Sequence, residues 1–298
     1  MAAAAFVYAF DTSTRDVGFV RVSVPYADAD PVPVPVSSLV PAELLRVRLL
    51  RVLNDFIVPR QRSYVREYQQ RADALEPDER RLMGRVEADR IVFDEYVASD
   101  KVQDVLTEGF ENGDEVQAAN TVRELAVIEG LDVVTETPST AQAVLDTVRV
   151  STEKIQYVGN AYYEQINSIL FTGFVEGQTK ETIAKLLQGR NAVLNSRAEF
   201  IARNEMGNMY ATLTKIRQTE NGVSKYIWRT SEDERVRPTH VANNGVEFSW
   251  DEPPPETGHP GADYNCRCYA EPVLPEFEEE QLASEGAPAL GVEEFEVD

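Results

Sequence analysis

The chain holds two histidines and two cysteines in 298 residues, and all four fall in one stretch: His240, His259, Cys266 and Cys268. Imidazole and thiolate are the protein groups zinc prefers, usually in a tetrahedral array. If these side chains share a ligand, separate loops must close on one point, and that limits the folds open to this stretch. Gly245, Pro260 and Gly261 are turn formers suited to such closure. The spacing is less favourable: zinc knuckles place roughly two to four residues between cysteines, whereas one residue separates Cys266 from Cys268. Asp233 and Asp263 are available to replace one ligand. The competing reading is a polar core, in which the four side chains bond to each other, to backbone or to water.

Charge narrows the partners. The formal net charge is -22, from 51 acidic and 29 basic residues. Such a chain repels nucleic acid on average, which argues against sequence-independent DNA wrapping but leaves room for a local basic patch. Lysine occurs only at positions 101, 154, 180, 185, 215 and 225. Acid excess with scarce lysine resembles halophilic proteins, whose self-repulsion is screened by salt; an acidic mesophilic protein is the alternative. No apolar run approaches the roughly 18 residues of a membrane helix, so no membrane partner is expected. The opening MAAAAFVYAF lacks the basic flank of a secretory signal. A disulfide between Cys266 and Cys268 would close too small a loop to restrict the unfolded chain much, so a reducing site of assembly is the simpler expectation.

The patterning predicts an α+β fold: a mostly α-helical body, an N-terminal extended or β arm, and a small loop-rich β platform near the C-terminus. Val7, Phe10, Val17, Phe19, Val20, Val22 and Val24 are β-prone. The run Asp30-Pro-Val-Pro-Val-Pro35 lacks alternate amide donors, so it is neither helix interior nor central strand. Residues 1–40 therefore read as a strand or hairpin followed by an extended arm. A dense apolar helix follows from Pro41 towards Ala74, with Pro59 expected to bend or break it. Glu76-Pro-Asp-Glu79 opens a helix bearing Leu82, Val86, Ile91, Val92 and Tyr96. Gly109, Gly113 and Gly130 are expected to divide residues 98–136 into two or three short helices, with Asp100, Asp114 and Thr137 as caps.

One long helix is expected over 139–167. Gly177 then turns the chain and Thr179 or Thr182 caps a new helix. A further amphipathic helix spans 197–219 and ends at Asn221-Gly222. Residues 225–229 and 245–250 read as partner strands. After Pro275 the chain is acidic and poor in core formers, as expected of a mobile tail, with Phe277, Leu282 and Phe295 as anchors for a partner.

A series of short motifs stands in order across the last third: I-A-R-N-E (201–205), N-G-V (221–223), Y-I-W-R-T (226–230), D-E-R-V-R-P-T-H (233–240), N-G-V-E-F (244–248) and H-P-G-A-D-Y-N-C-R-C (259–268). In order and spacing they resemble the phage Mu F-type minor head protein family, also called the phage head morphogenesis domain. The helical segment from position 140 fits the same family loosely. Together with the patterning, which marks an arm (1–40), a helical N-terminal domain (41–137) and an acidic tail (276–298), the resemblance marks a Mu F-like domain over 138–275.

The resemblance implies a minor capsid protein of a tailed virus, not an enzyme. It implies assembly in the host cytoplasm, a place inside the head at the portal vertex, and binding to the portal ring and the major capsid protein. Packaged DNA is expected nearby but not specifically bound. Many relatives carry C-P-x-C where this chain has Arg237-Pro-Thr-His240. If a metal is kept, His259 or an acid must fill the gap; if not, Arg237 is expected to pair with Asp233 or Glu234. Asp233, Arg235, Arg237 and Arg267, with Glu234 and Asp263, read as a bracing network, with DNA phosphate contact as the alternative. Asp233 and Glu234 do not read as paired catalytic carboxylates, since neighbours on a turn point apart. The alternative function is a zinc hydrolase or nuclease built on the cluster, for which Glu247 is the nearby candidate base.

Overall fold

The computed structural model describes residues 4–10, 17–23, 39–72, 79–128 and 131–274. Its bulk is helical, with a small antiparallel sheet near the C-terminus, as the patterning predicts. β1 (Ala4–Phe10) and β2 (Val17–Ser23) pair antiparallel, with Val7 opposite Val20. The proline run at 30–35 and the tail at 276–298 lie outside the described residues.

α1 (Leu39–Ala72) continues through Pro59, so of the expected bend or break the break does not occur. Proline inside a helix costs roughly 3 kcal/mol. The turns on either side are anchored by Leu53, Phe56 and Ile57 before it and Tyr64 and Tyr68 after it, all buried. Burial of each contributes about 1.5–3 kcal/mol, so packing outweighs the proline. Pro59 and Asp55 both face outward, and water can satisfy the carbonyl left without a donor.

α2 (Glu79–Val97) buries Leu82, Val86, Phe93 and Val97. Ile91 and Val92, apolar residues of the same helix, are exposed. α3 (Asp100–Leu125) is one helix running through both Gly109 and Gly113. These glycines are packing sites rather than breaks. A Cβ at Gly109 would lie 2.6 Å from Leu45 Cδ1, and one at Gly113 would lie 2.5 Å from Met206 Sδ. Ser99 stands at the N-cap of α3, and Asp114, expected as a cap, pairs with Arg217.

α4 (Pro138–Glu176) begins with a capping box, in which Thr137 and Thr140 each bond the other's backbone amide. Gly177 ends it at φ +62°, the left-handed conformation that favours glycine. After the Thr179 cap, α5 (Lys180–Glu220) extends unbroken to Asn221, so the segments expected to be separate helices are one. Asn191, a polar interruption in the pattern, is paired inside the helix bundle with Gln61 and Tyr162. Helices α1 to α5 share one core that includes Leu45, Phe93, Phe110, Ile155 and Leu213. Among the described residues, no helix is long and apolar enough to cross a membrane.

The platform follows α5. β3 (Lys225–Arg229) is the centre of a three-stranded antiparallel sheet, flanked by β4 (Glu247–Ser249) and β5 (Tyr269–Pro272). A short helix, α6 (Pro238–Asn243), lies between β3 and β4. Period-two alternation points Tyr226 and Trp228 to the buried side, where they meet Trp250 and Ala270.

Candidate functional site

The sheet is fixed to α5 through Gln218, with Lys215 donating to the Trp250 carbonyl at 3.1 Å. Gln218 donates to the Ala270 carbonyl at 3.0 Å and accepts from Trp250 Nε1 at 3.0 Å. The loop before β5 lies close on the same helix. Asn204 Oδ1 accepts from the Asn265 amide at 3.0 Å. Gly261 has φ +88°, and a Cβ there would lie 2.5 Å from Ala211 Cβ. Both its backbone conformation and the close approach therefore require glycine.

Three of the four rare residues meet above this sheet. α6 presents His240, which is 2% exposed, and the loop entering β5 presents Cys266 and Cys268. Their ligand atoms all lie within 4.8 Å of one another. His240 Nδ1 is 3.5 Å from each sulfur. Cys268 donates to Cys266 and, as the largest effect, holds the Cys266 thiol well below its usual range, while Cys268 is pushed up. This donor set, two sulfurs and one imidazole nitrogen, fits a zinc-class cation in chemistry and in spacing.

His259 does not join them. Its Nε2 lies 3.3 Å from Lys215 Nζ and its Nδ1 lies 2.9 Å from Tyr226 Oη. Lysine can only donate, so Nε2 accepts and Nδ1–H donates to the tyrosine. Burial, helped by the Lys215 charge, lowers the pKa of His259. It thus serves as a neutral spacer packed on Trp250.

The bracing network joins Arg267 and Arg237 to Asp233 and Asp263, two of the acids read for it from the sequence. Arg267 makes a two-pronged pair with Asp233, one prong at 2.6 Å, and these bonds hold the Asp233 carboxyl below its usual range. Arg235 contributes its backbone amide to Asp233 at 3.0 Å. Arg237 pairs with Asp263 at 3.3 Å and donates to the Tyr264 carbonyl at 2.8 Å, rather than with Asp233 or Glu234, the partners expected if no metal is kept. Glu247, the candidate base of the hydrolase reading, pairs with Lys225 at 2.8 Å and is exposed.

Between α3, α5 and the platform is a cavity of about 510 Å³, lined in part by Glu124, Tyr210, Arg229, Cys266 and Cys268. Sequence reading missed Glu124, which carries no local signal. Burial, against an opposing bond from Gln218, raises its pKa to about 7. The unfolded chain ionises this group at lower pH than the folded one, so stability is full below about pH 4.5 and falls as pH rises through 7. The loss is about 3 kcal/mol for a shift of this size. Glu124→Gln is expected to remove this component, so urea midpoints at pH 5 and pH 8 will differ less in the variant than in the parent. An unchanged difference would show that Glu124 is solvated.

Residues 164–271, from α4 through the platform to β5, match the family of Phage Mu protein F like proteins. This is the family whose motifs the chain resembles, found here across one continuous stretch. The chain is 30% identical over 189 residues to an uncharacterized protein of Haemophilus influenzae, covering 61% of this chain and 42% of that one. It is 33% identical over 157 residues to an uncharacterized protein of Methanocaldococcus jannaschii, covering 52% and 23%. The chain thus spans less than half the length of either relative. No solved structure matches it.

Proposed function

We propose that this chain is a structural minor head protein of a tailed virus. In this reading it sits inside the head, docks on the portal ring and neighbouring capsid protein, and aids assembly or the packaging and exit of DNA. The observation that carries the reading is the family match over residues 164–271. The acidic surface suits a site where packaged DNA passes without adhering.

A helix face within the matched region supports docking. Leu186, Val193 and Phe200 recur every seven residues along α5 and are each exposed. Gly189 and Ser196 stand three residues after the first two, and Arg190 and Arg197 four residues after them. This is the pattern of a seam that receives another helix: apolar knobs, small residues for close approach, and charge at the flank. Phe171 and Val175 of α4, and Tyr264 beside Phe200, add exposed apolar surface. An antiparallel second copy would bring the arginines of the two chains together. The seam therefore suits an acidic amphipathic helix of another head protein.

The expected result is co-purification of the chain with a portal-type ring from assembled heads. Val193→Glu is expected to weaken that association about tenfold or more, as loss of a central apolar anchor does, with helical content unchanged. Recovery of the chain only as free monomer from lysed virions would overturn the reading.

A further inference from the structure

We infer that His240, Cys266 and Cys268 form a three-donor site for one zinc-class cation, with His240 ligating through Nδ1 and a non-protein ligand such as water completing the tetrahedron. The inference does not depend on the docking role above.

The first argument is geometric. In a tetrahedral site with Zn–S near 2.3 Å and Zn–N near 2.0 Å, the sulfur-to-nitrogen edge is about 3.5 Å. Both edges from Nδ1 have this length, 3.5 Å to Cys266 Sγ and 3.5 Å to Cys268 Sγ. A polar core does not need this arrangement. Nδ1 has one lone pair and accepts from one thiol, so the bond between the two cysteines can place the second sulfur but does not require its equal distance from Nδ1. A cation on that lone pair uses both.

The second argument lies behind the imidazole. Nε2 is buried and makes no aligned hydrogen bond among the described residues, yet Asp263 Oδ2 is 3.5 Å away. A carboxylate on the far nitrogen of a ligating histidine fixes the tautomer that leaves the near nitrogen free. Arg237 holds that carboxylate at 3.3 Å. Arg237 therefore acts one step back from the cation: it positions Asp263, which orients His240. Trp228 packs edge-on against the ring at 5.3 Å and covers it.

The test uses the full chain purified without chelator and loaded with zinc or cobalt. One metal per chain is expected by elemental analysis, and the cobalt form should show thiolate-to-metal charge-transfer absorption. His240→Ala and Cys266→Ser should abolish stoichiometric binding while helical circular dichroism persists, since the cluster lies outside the helical core. His259→Gln should retain one metal. Asp263→Asn should retain it with affinity weakened about 10–100-fold in chelator competition, the usual effect of losing such a partner. Absence of bound metal, cobalt spectra without thiolate absorption, or binding that survives Cys266→Ser would each overturn the assignment. Loss of metal in His259→Gln would do the same, since it would place a fourth protein ligand where none is inferred.

Discussion

Arg217→Ala is expected to destabilise the protein by about 3 kcal/mol, within the range for breaking a buried charged network from one side. The side chain is fully buried at 0% exposure. Its Nε donates to the Thr135 carbonyl at 2.7 Å, one terminal nitrogen bonds Gln117 Oε1, and the other meets Asp114 Oδ1 at 2.5 Å. One guanidinium thus joins α5, α3 and the segment leading into α4. Alanine leaves these acceptors without their donor and opens a hole that solvent must enter. Asp114 is partly solvated at 25% exposure, which keeps the cost towards the lower end. Arg217→Lys should recover little, because one ammonium cannot span three acceptors fixed by a planar fork. Pairing Arg217→Met with Asp114→Asn should restore part of the loss by removing the stranded charge. Urea midpoints of the four proteins check this. A loss under about 1 kcal/mol for Arg217→Ala would mean that the network is already open to water.

The features legible in the sequence are those decided within a few residues. Thr137, Gly177, Thr179 and Asn221 mark helix ends because cap chemistry is local, and each lies at an end in the structure. β3 and β4 were readable from alternation. β5 was not, because it is short and follows directly from the cysteine loop. Gly109 and Gly113 do not divide α3 and Pro59 does not break α1 for one reason: each is unfavourable in an isolated helix and acceptable in a packed one. Arg217 looked like an ordinary last-turn basic residue, and only its acceptors on α3 reveal it. The candidate site was half legible. Rarity picked out four residues, and it could not show that Lys215 and Tyr226 occupy His259, or that Arg237 reaches Asp263.

The same distinction sets opposite signs for one substitution at two glycines. Gly189→Ala is expected to stabilise by about 1 kcal/mol, because alanine is the better helix former and nothing lies within 4 Å of the added Cβ. Gly159→Ala carries the same propensity gain, but its Cβ would lie 2.5 Å from Phe93 Cδ1 and closer still to Cε1. Phe93 cannot swing aside: its ring is 5.6 Å from Phe56 and 5.7 Å from Tyr163, both buried. Either that aromatic cluster repacks or α4 moves off α2. Forcing extra volume into a packed core costs typically 1–3 kcal/mol and sometimes more. With the least yielding neighbour available, the gross cost should reach 3 or above, a net loss of about 2 kcal/mol after the propensity gain. The two variants should therefore separate by about 3 kcal/mol in urea denaturation at equal slope. Near-equal midpoints would mean that α2 and α4 are further apart at this crossing than the packing of Phe93 on Gly159 indicates.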